Sequence, residues 1–261
     1  KQLPIEILKS LKKKKIKYFI IDLSKNNKFK KDKNSYFINI GKFGKILALI
    51  KSKKCKKVLF AGNIIKPRIS KLKLDLKGIY YIPRIIKASK LGDAAILKEL
   101  INILSENKIK VIKLNTYNPE LTLSKGCYTK LKPSIVDMLT IKKGIKILKK
   151  SNSFNHVQAL VINNRKIISI EKRKGTKDML KSIKNNNLNN KLLLKIPKTK
   201  QDLRVDLPTI GLETLKDCKK ANIKGVVVKA GQNIFLDKHE VFKFANKNNI
   251  FVMAKWKRFL F

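Results

Sequence analysis

D-A-A-I-L-K-E-L-I-N-I-L-S-E-N-K-I-K-V-I-K-L, residues 93–114, carries the repeating pattern of the first half in its plainest form. Asp93 to Glu106 reads as an amphipathic helix and Val111 to Leu114 as a buried strand, so a helix hands over directly to a strand. The same unit recurs upstream. Pro4 to Lys14 reads as a helix with Ile5, Leu8 and Leu11 inward, followed by the strand Tyr18 to Ile21. Tyr36 to Ile40 is a strand, Lys45 to Ser52 a helix and Val58-Leu59-Phe60 a strand. Strands alternating with helices imply a parallel sheet with helices on both faces, and such sheets bind ligands beyond the carboxyl ends of their strands.

The rhythm breaks at L-K-P-S, residues 131–134, and a helix follows from Ile135 to Lys150. The second half opens with a hairpin, Val157 to Ile162 and Ile167 to Glu171, turning at Asn163-Asn164. A helix from Thr176 to Ile183, the low-complexity loop N-N-N-L-N-N and a strand from Leu192 to Ile196 come next. A helix from Thr209 to Ala221, the strand Gly225 to Lys229 and a last helix and strand ending near Met253 complete the pattern. The expectation is therefore an α/β protein of two α/β domains: residues 1–131, Rossmann-like with a parallel sheet, and residues 132–255, a second α/β domain. Residues 256–261 form a basic and aromatic tail. The opening K-Q-L-P reads as the middle of something, so a short N-terminal piece carrying the first strand is expected to be missing.

The 43% hydrophobic content of the 261 residues suits folded domains, and no apolar run reaches the length of a membrane span. Cys55, Cys127 and Cys218 lie far apart without a C-x-x-C, which argues for a reducing compartment and against structural zinc or a disulfide framework. The net charge of +46 calls for an anionic partner, whether nucleic acid, lipid headgroups or a phosphorylated substrate. Yet only six of the 63 basic residues are Arg, and the Lys excess comes with many Asn and Ile along the whole chain. Those are residues of A+T-rich codons, whereas readers of nucleic acid favour Arg gathered on one face. Nucleic acid is therefore not the expected partner, and an anionic membrane surface is.

Among so few acids, Asp202 and Asp206 stand four apart in K-T-K-Q-D-L-R-V-D-L-P-T-I-G, residues 198–211. Pro197, Pro208 and Gly211 restrain this loop between a strand and a helix. Two carboxylates can hold Mg²⁺ while Lys198, Lys200 and Arg204 hold phosphate oxygens, and a helix beginning near Pro208 would offer N–H groups to an anion. The plainer reading is Asp206 as a helix N-cap and Asp202 as a solvated charge. In the first half, G-K-F-G-K, residues 41–45, and F-A-G-N, residues 60–63, each follow a strand; Gly41, Gly44, Gly62 and Asn63 either let backbone approach a nucleotide or simply make turns. His156 and His239 have no partner at metal-ligand spacing, and G-x-S-x-G and H-E-x-x-H are absent.

G-K-F-G-K, F-A-G-N-x-x-x-P, L-K-G, G-D-A-A-I-L, K-G-T, and K-I-P-K-T-K-Q-D-L-R-V-D-L-P-T-I-G-L-E-T-L followed by K-A-G resemble, in order and spacing, the LpxI-type UDP-2,3-diacylglucosamine pyrophosphatases. The resemblance runs from Gln2 to about Val252. It implies Mg²⁺-dependent hydrolysis of UDP-2,3-diacylglucosamine to 2,3-diacylglucosamine 1-phosphate and UMP in the lipid A synthesis of Gram-negative bacteria. It implies two domains closing over that substrate, in the cytoplasm and peripheral to the inner membrane, with a homodimer left open. It implies Asp206 as the essential metal-linked carboxylate. On the pyrophosphatase reading, Asp202 is the second candidate ligand, and Arg204 and Lys198 offset charge on the leaving phosphate. Lys198, Gln201, Thr209, Gly175, Thr176, Gly41, Gly44, Gly62 and Asn63 would then bind substrate.

The chain also departs from the family pattern. Lys177 stands where the family commonly has the acid of G-T-D, with Asp178 one place later; Ala94 and Lys229 replace two other acids. Two rival readings stay open: an RNA-binding protein, from the charge, and a nucleotide-dependent oxidoreductase, from the βαβ rhythm, although no G-x-G-x-x-G is present.

Overall fold

Helices and strands alternate along the chain as the sequence implies, and the protein is of the α/β class. The computed structural model describes residues 2–24, 26–62, 72–151, 157–184, 186, 188–198 and 201–255. Asn63, His156, Lys200, most of the F-A-G-N-x-x-x-P stretch, part of the Asn-rich loop and the tail 256–261 lie outside the described residues. The chain divides into two compact units, Lys1–Asn118 and Pro119–Phe261.

In the first unit the helices are α1 (Leu3–Lys13), α2 (Phe43–Ser52), α3 (Leu76–Lys90) and α4 (Asp93–Glu106), and the strands are β1 (Ile20–Asp22), β2 (Ser35–Phe37), β3 (Lys57–Val58) and β4 (Lys110–Val111). β1 pairs parallel with β2, and β3 pairs parallel with β4. The strands are shorter than expected; Leu59, Phe60 and Ile112 to Leu114 continue outside the ladder. Ile46, Leu47 and Ile50 of α2 and Ile101, Ile103 and Leu104 of α4 are buried at helical spacing. Helix α3 was not expected, because Gly78 and Pro83 punctuate its sequence. It forms nonetheless, with Asp75 capping its start and Arg84 bridging to Glu99 and Glu106 of α4.

The second unit holds a six-stranded sheet built on β5 (Gly126–Cys127), β6 (Ala159–Asn163), β7 (Lys166–Ile170), β8 (Lys191–Lys195), β10 (Ile223–Lys229) and β12 (Phe251–Lys255), in the order β5-β12-β10-β8-β6-β7. β8, β10 and β12 run parallel; β5, β6 and β7 are antiparallel to their neighbours. Helix α5 (Ile135–Ser151) covers one face, packing Ile141, Ile145 and Leu148 on Leu192, Leu194 and Val227. Helices α6 (Thr176–Ser182), α7 (Leu212–Lys220) and α8 (Lys238–Lys247) cover the other, over Val161, Leu193, Val226 and Val252. Alternate residues of the strands thus serve opposite layers, as the pleat requires. The β6–β7 turn falls on Asn164 and Arg165, both with positive φ, one residue beyond the expected place.

One expectation is overturned. Thr209 does not start a helix: β9 (Thr209–Ile210) pairs parallel with β11 (Ile234–Phe235), and α7 begins three residues later after Gly211. The N–H of Ile234 donates to Pro208 O at 2.9 Å and that of Leu236 to Ile210 O at 3.0 Å, so a distant segment captures this backbone. Neither Asp206 nor Pro208 therefore caps a helix, and the anion-binding helix start expected at Pro208 does not exist.

Candidate functional site

The loop after β8 closes on itself through short-range bonds. The Lys198 N–H donates to Gln201 Oε1 at 2.8 Å, and the Gln201 N–H returns to Lys198 O at 3.2 Å. The Asp206 N–H donates to Asp202 O at 3.0 Å, completing a turn that sets the two carboxylates. They have different fates. Asp202 receives the Arg204 guanidinium, Nε at 3.0 Å to Oδ1 and Nη2 at 2.7 Å to Oδ2, and this pairing holds its carboxyl below the ordinary value. Asp206 is half-buried and its carboxyl is pushed up by that burial, against the pull of Lys198, of the Gln201 amide and of Lys195. Gln201 Nε2 is buried on the side of the Asp206 carboxyl.

Lys195, the last residue of β8, is 8% exposed. Its Nζ donates to Thr209 O at 3.2 Å. Burial lowers its pKa, while Glu171, Cys218 and Asp206 act in the opposite sense. Lys195 also lines a cavity of about 320 Å³ on the α6–α7 side of the sheet, together with Gln158, Glu171, Gly175, Thr176 and Thr214. Sheet register explains the gathering. Ala159 on β6 sits opposite Lys195, and Ile170 on β7 opposite Leu160, so the residues flanking those strand ends meet the carboxyl end of β8. In the cavity wall Glu171 is buried and bonded on both oxygens: Oε1 accepts from Thr176 Oγ1 at 2.6 Å and Oε2 from the Gln158 N–H at 2.9 Å. Gly175 takes φ +87° to open α6, a conformation that favours glycine. Asn233, 1% exposed, ties the same edge together by donating to Lys195 O and accepting from the Lys229 N–H, each at 3.0 Å.

In the first unit, Gly41 and Gly44 sit where α2 meets the segment before α3. The donors that G-K-F-G-K would offer a phosphate are engaged within the chain: Asp75 accepts from the N–H groups of Gly44 at 3.0 Å, Lys45 at 3.1 Å and Gly78 at 2.8 Å. A Cβ on Gly41 would come within 2.6 Å of Lys73 O, so close backbone approach is what this glycine permits. Gly62 is exposed.

The LpxI N-terminal domain family matches residues 2–121 and the LpxI C-terminal domain family matches residues 124–253. The chain belongs to the LpxI family. The UDP-2,3-diacylglucosamine pyrophosphatase LpxI of Caulobacter vibrioides is 29% identical over 225 residues, covering 83% of this chain and 80% of that protein. Within the LpxI C-terminal domain, the structure brings Lys198, Gln201 and Asp206 into one loop, and Gly175 and Thr176 into the cavity that Lys195 shares. At the point where this chain departs from the LpxI pattern, Lys177 lines the cavity, and Asp178 is exposed and not part of its lining.

No three or more His, Cys, Asp or Glu side chains converge among the described residues. Mg²⁺ in phosphate chemistry takes one or two protein carboxylates plus substrate oxygens. Asp206 fits as that single carboxylate, whereas Asp202 is committed to Arg204. Sequence reasoning assigned no role to Lys195, Glu171, Gln158 or Asn233. The signal for Lys195 was there: a lysine ends the run Leu192-Leu193-Leu194 on a wholly buried strand.

Proposed function

We propose that this LpxI-family protein hydrolyses UDP-2,3-diacylglucosamine with the help of Mg²⁺, releasing UMP and 2,3-diacylglucosamine 1-phosphate. Family membership carries the coarser statement, that it is a UDP-2,3-diacylglucosamine pyrophosphatase of lipid A synthesis. The observation that carries the site is the Asp206 carboxyl, half-buried at the carboxyl end of β8 among Lys198, Lys195 and Gln201. Parallel strands present ligand sites at this end.

In this reading water attacks one phosphorus of the diphosphate, the anhydride P–O bond breaks, and the electron pair leaves on the departing phosphate oxygen. Asp206 would hold Mg²⁺ together with diphosphate oxygens, and the bound ion would supply charge neutralisation and polarisation of the phosphoryl group. The chain's own contribution is positional. Lys198 stands beside Asp206 to meet phosphate oxygens, and the Lys198–Gln201 closure fixes the loop that carries both. Arg204 holds Asp202 and thereby the turn leading to Asp206; it reaches a leaving phosphate only where that pairing is shared. Thr209 supplies its carbonyl to Lys195.

The +46 charge and a diacylated substrate support work at an anionic membrane surface in the cytoplasm. No helix among the described residues is long and apolar enough to cross a membrane. The test is direct: incubate the protein with UDP-2,3-diacylglucosamine, with Mg²⁺ and with chelator, and measure UMP. UMP that appears only with the metal supports the reading; no UMP under any divalent metal overturns it.

A further inference from the structure

We infer that the outward face of α3 docks on an anionic lipid surface, with Leu76, Ile79 and Tyr80 entering the headgroup boundary and Lys87 and Lys90 meeting the headgroups. This rests on the reading above, that the protein works at a membrane surface, and names the face that makes the contact. Three observations carry it.

The first is a fold that fixes which side of α3 is left outside. Gly78, Tyr81 and Ala88 form its buried side. A Cβ on Gly78 would come within 2.5 Å of Gly41 O, so the two backbones pack directly. Tyr81 meets Phe43 of α2 edge-on, with 5.6 Å between ring centroids, and Arg84 is anchored to Glu99 and Glu106 of α4. The helix therefore cannot roll to cover its other side. There stand Leu76, 86% exposed, Ile79, 57%, Tyr80, 68%, and the exposed Pro83. Their spacing of i, i+3, i+4 and i+7 makes one stripe. Single apolar side chains on a surface mean little, whereas a contiguous stripe of them marks an interaction site.

The second is charge. Lys87 and Lys90 continue the same stripe toward the end of the helix, Lys73 and Lys77 stand at its beginning, and all four are exposed. No residue from 76 to 92 is acidic. Lys77 Nζ lies 5.7 Å from the centre of the Tyr80 ring, its stem along the apolar stripe, and Leu91, 75% exposed, follows the last turn. One face thus joins aliphatic side chains, a tyrosine suited to headgroup level and a row of ammonium groups. That is the composition of a helix lying in the plane of an anionic bilayer surface.

The third is what the face does not suit. Lysine is depleted where proteins meet, yet here it borders the whole stripe. Nucleic acid is read by arginine and by stacked aromatic rings. The arginine of α3 is engaged by two glutamates, and the most exposed side chain of the stripe is a leucine.

The experiment is sedimentation with vesicles of phosphatidylcholine and phosphatidylglycerol, about 2:1, beside vesicles of phosphatidylcholine alone. The parent is expected to bind the mixed vesicles. Leu76→Gln combined with Ile79→Gln should weaken that binding by about tenfold or more, the scale of withholding two aliphatic side chains from the bilayer. Lys87→Gln combined with Lys90→Gln should weaken it by about 25-fold at low salt, roughly fivefold for each lysine. Lys243→Gln combined with Lys247→Gln removes the same charge from α8 and should stay within about threefold of the parent, being more than a Debye length from the docked surface. Equal losses in the α3 and α8 lysine variants would overturn the inference, because net charge alone would then do the binding. So would unchanged vesicle binding in the Leu76→Gln, Ile79→Gln variant, or a loss of RNA binding in its place. Ile79→Trp gives a reading that needs no loss: on vesicles of brominated phosphatidylcholine and phosphatidylglycerol its emission should be quenched more than that of the parent, whose single tryptophan is Trp256. Equal quenching would again overturn the inference. UMP release from detergent-dispersed substrate should be the same in the parent and the Leu76→Gln, Ile79→Gln variant. If the parent releases no UMP, the diphosphatase reading fails, and vesicle binding by the parent and the variants still decides the α3 face.

Discussion

Replacing Asp75 with alanine should destabilise the first unit by about 2–4 kcal/mol. The carboxylate accepts three backbone N–H bonds at 2.8–3.1 Å, two from the first turn of α2 and one from the first turn of α3. A single N-cap contributes about 0.5–2 kcal/mol, hydrogen bonds to charged groups about 1.5–3 kcal/mol, and here one side chain serves two helices. Asp75→Asn keeps an oxygen for Gly44 and Gly78 but turns an amide donor toward the Lys45 N–H, so roughly half the loss is expected. Burial alone would push the Asp75 carboxyl up, yet the N–H groups of Gly44, Gly78 and Lys45, with Lys42 nearby, hold it below the ordinary value. The contribution is therefore full above the unfolded pKa of about 3.9 and is lost as pH falls through the folded value. Urea unfolding followed by circular dichroism at pH 7 and at pH 3 measures both effects, with exchange of the Gly44, Lys45 and Gly78 amides as a local probe. A loss under about 0.5 kcal/mol, or amides that exchange equally fast with and without Asp75, would show that Asp75 does not cap the two helices.

Two further outcomes are expected. Asp137 accepts from the Ser134 N–H, from Ser134 Oγ and from Lys224 Nζ at 2.8–2.9 Å, so Asp137→Ala should cost about 2–4 kcal/mol in a melt of the whole chain by removing the partner of Lys224 and the carboxylate side of the reciprocal cap with Ser134; an unchanged midpoint would contradict this. Because Lys177 and not Asp178 lines the cavity, Lys177→Asp should lower the Mg²⁺ concentration for half-maximal UMP release, whereas Asp178→Ala should leave it unmoved. A magnesium titration of both variants checks the pair, and a shift with Asp178→Ala would show that the one-residue offset is absorbed after all.

Legibility followed locality. The helix Asp93–Glu106 was readable to the residue because its periodicity is internal to the segment. Helix α5 was readable because Pro133 and Ser134 punctuate its start. Helix α3 was hidden because Gly78 and Pro83 act as local breakers, and the contacts that override them run from Arg84 to Glu99 and Glu106, 15 and 22 residues away on α4. The strand at Thr209 was misread for a different reason: its partner, Ile234, lies some 25 residues away. The site divides the same way. Asp202, Arg204 and Asp206 were visible as a motif, but their division of labour, one acid paired with the arginine and the other buried beside lysines, is a matter of geometry. Lys195 and Glu171 sit at strand ends 24 positions apart, and antiparallel pairing through β6 is what brings them together.

In the proposed reaction Asp206 serves the cleavage step and not the binding of the substrate. It is tested most directly by comparing Asp206→Ala with the parent on UDP-2,3-diacylglucosamine in Mg²⁺, reading UMP release and substrate binding side by side. UMP release is expected to fall by more than about a hundredfold, the scale of losing one charge-stabilising group, while binding persists through Lys198 and the backbone of its loop. Turnover within tenfold of the parent would contradict it.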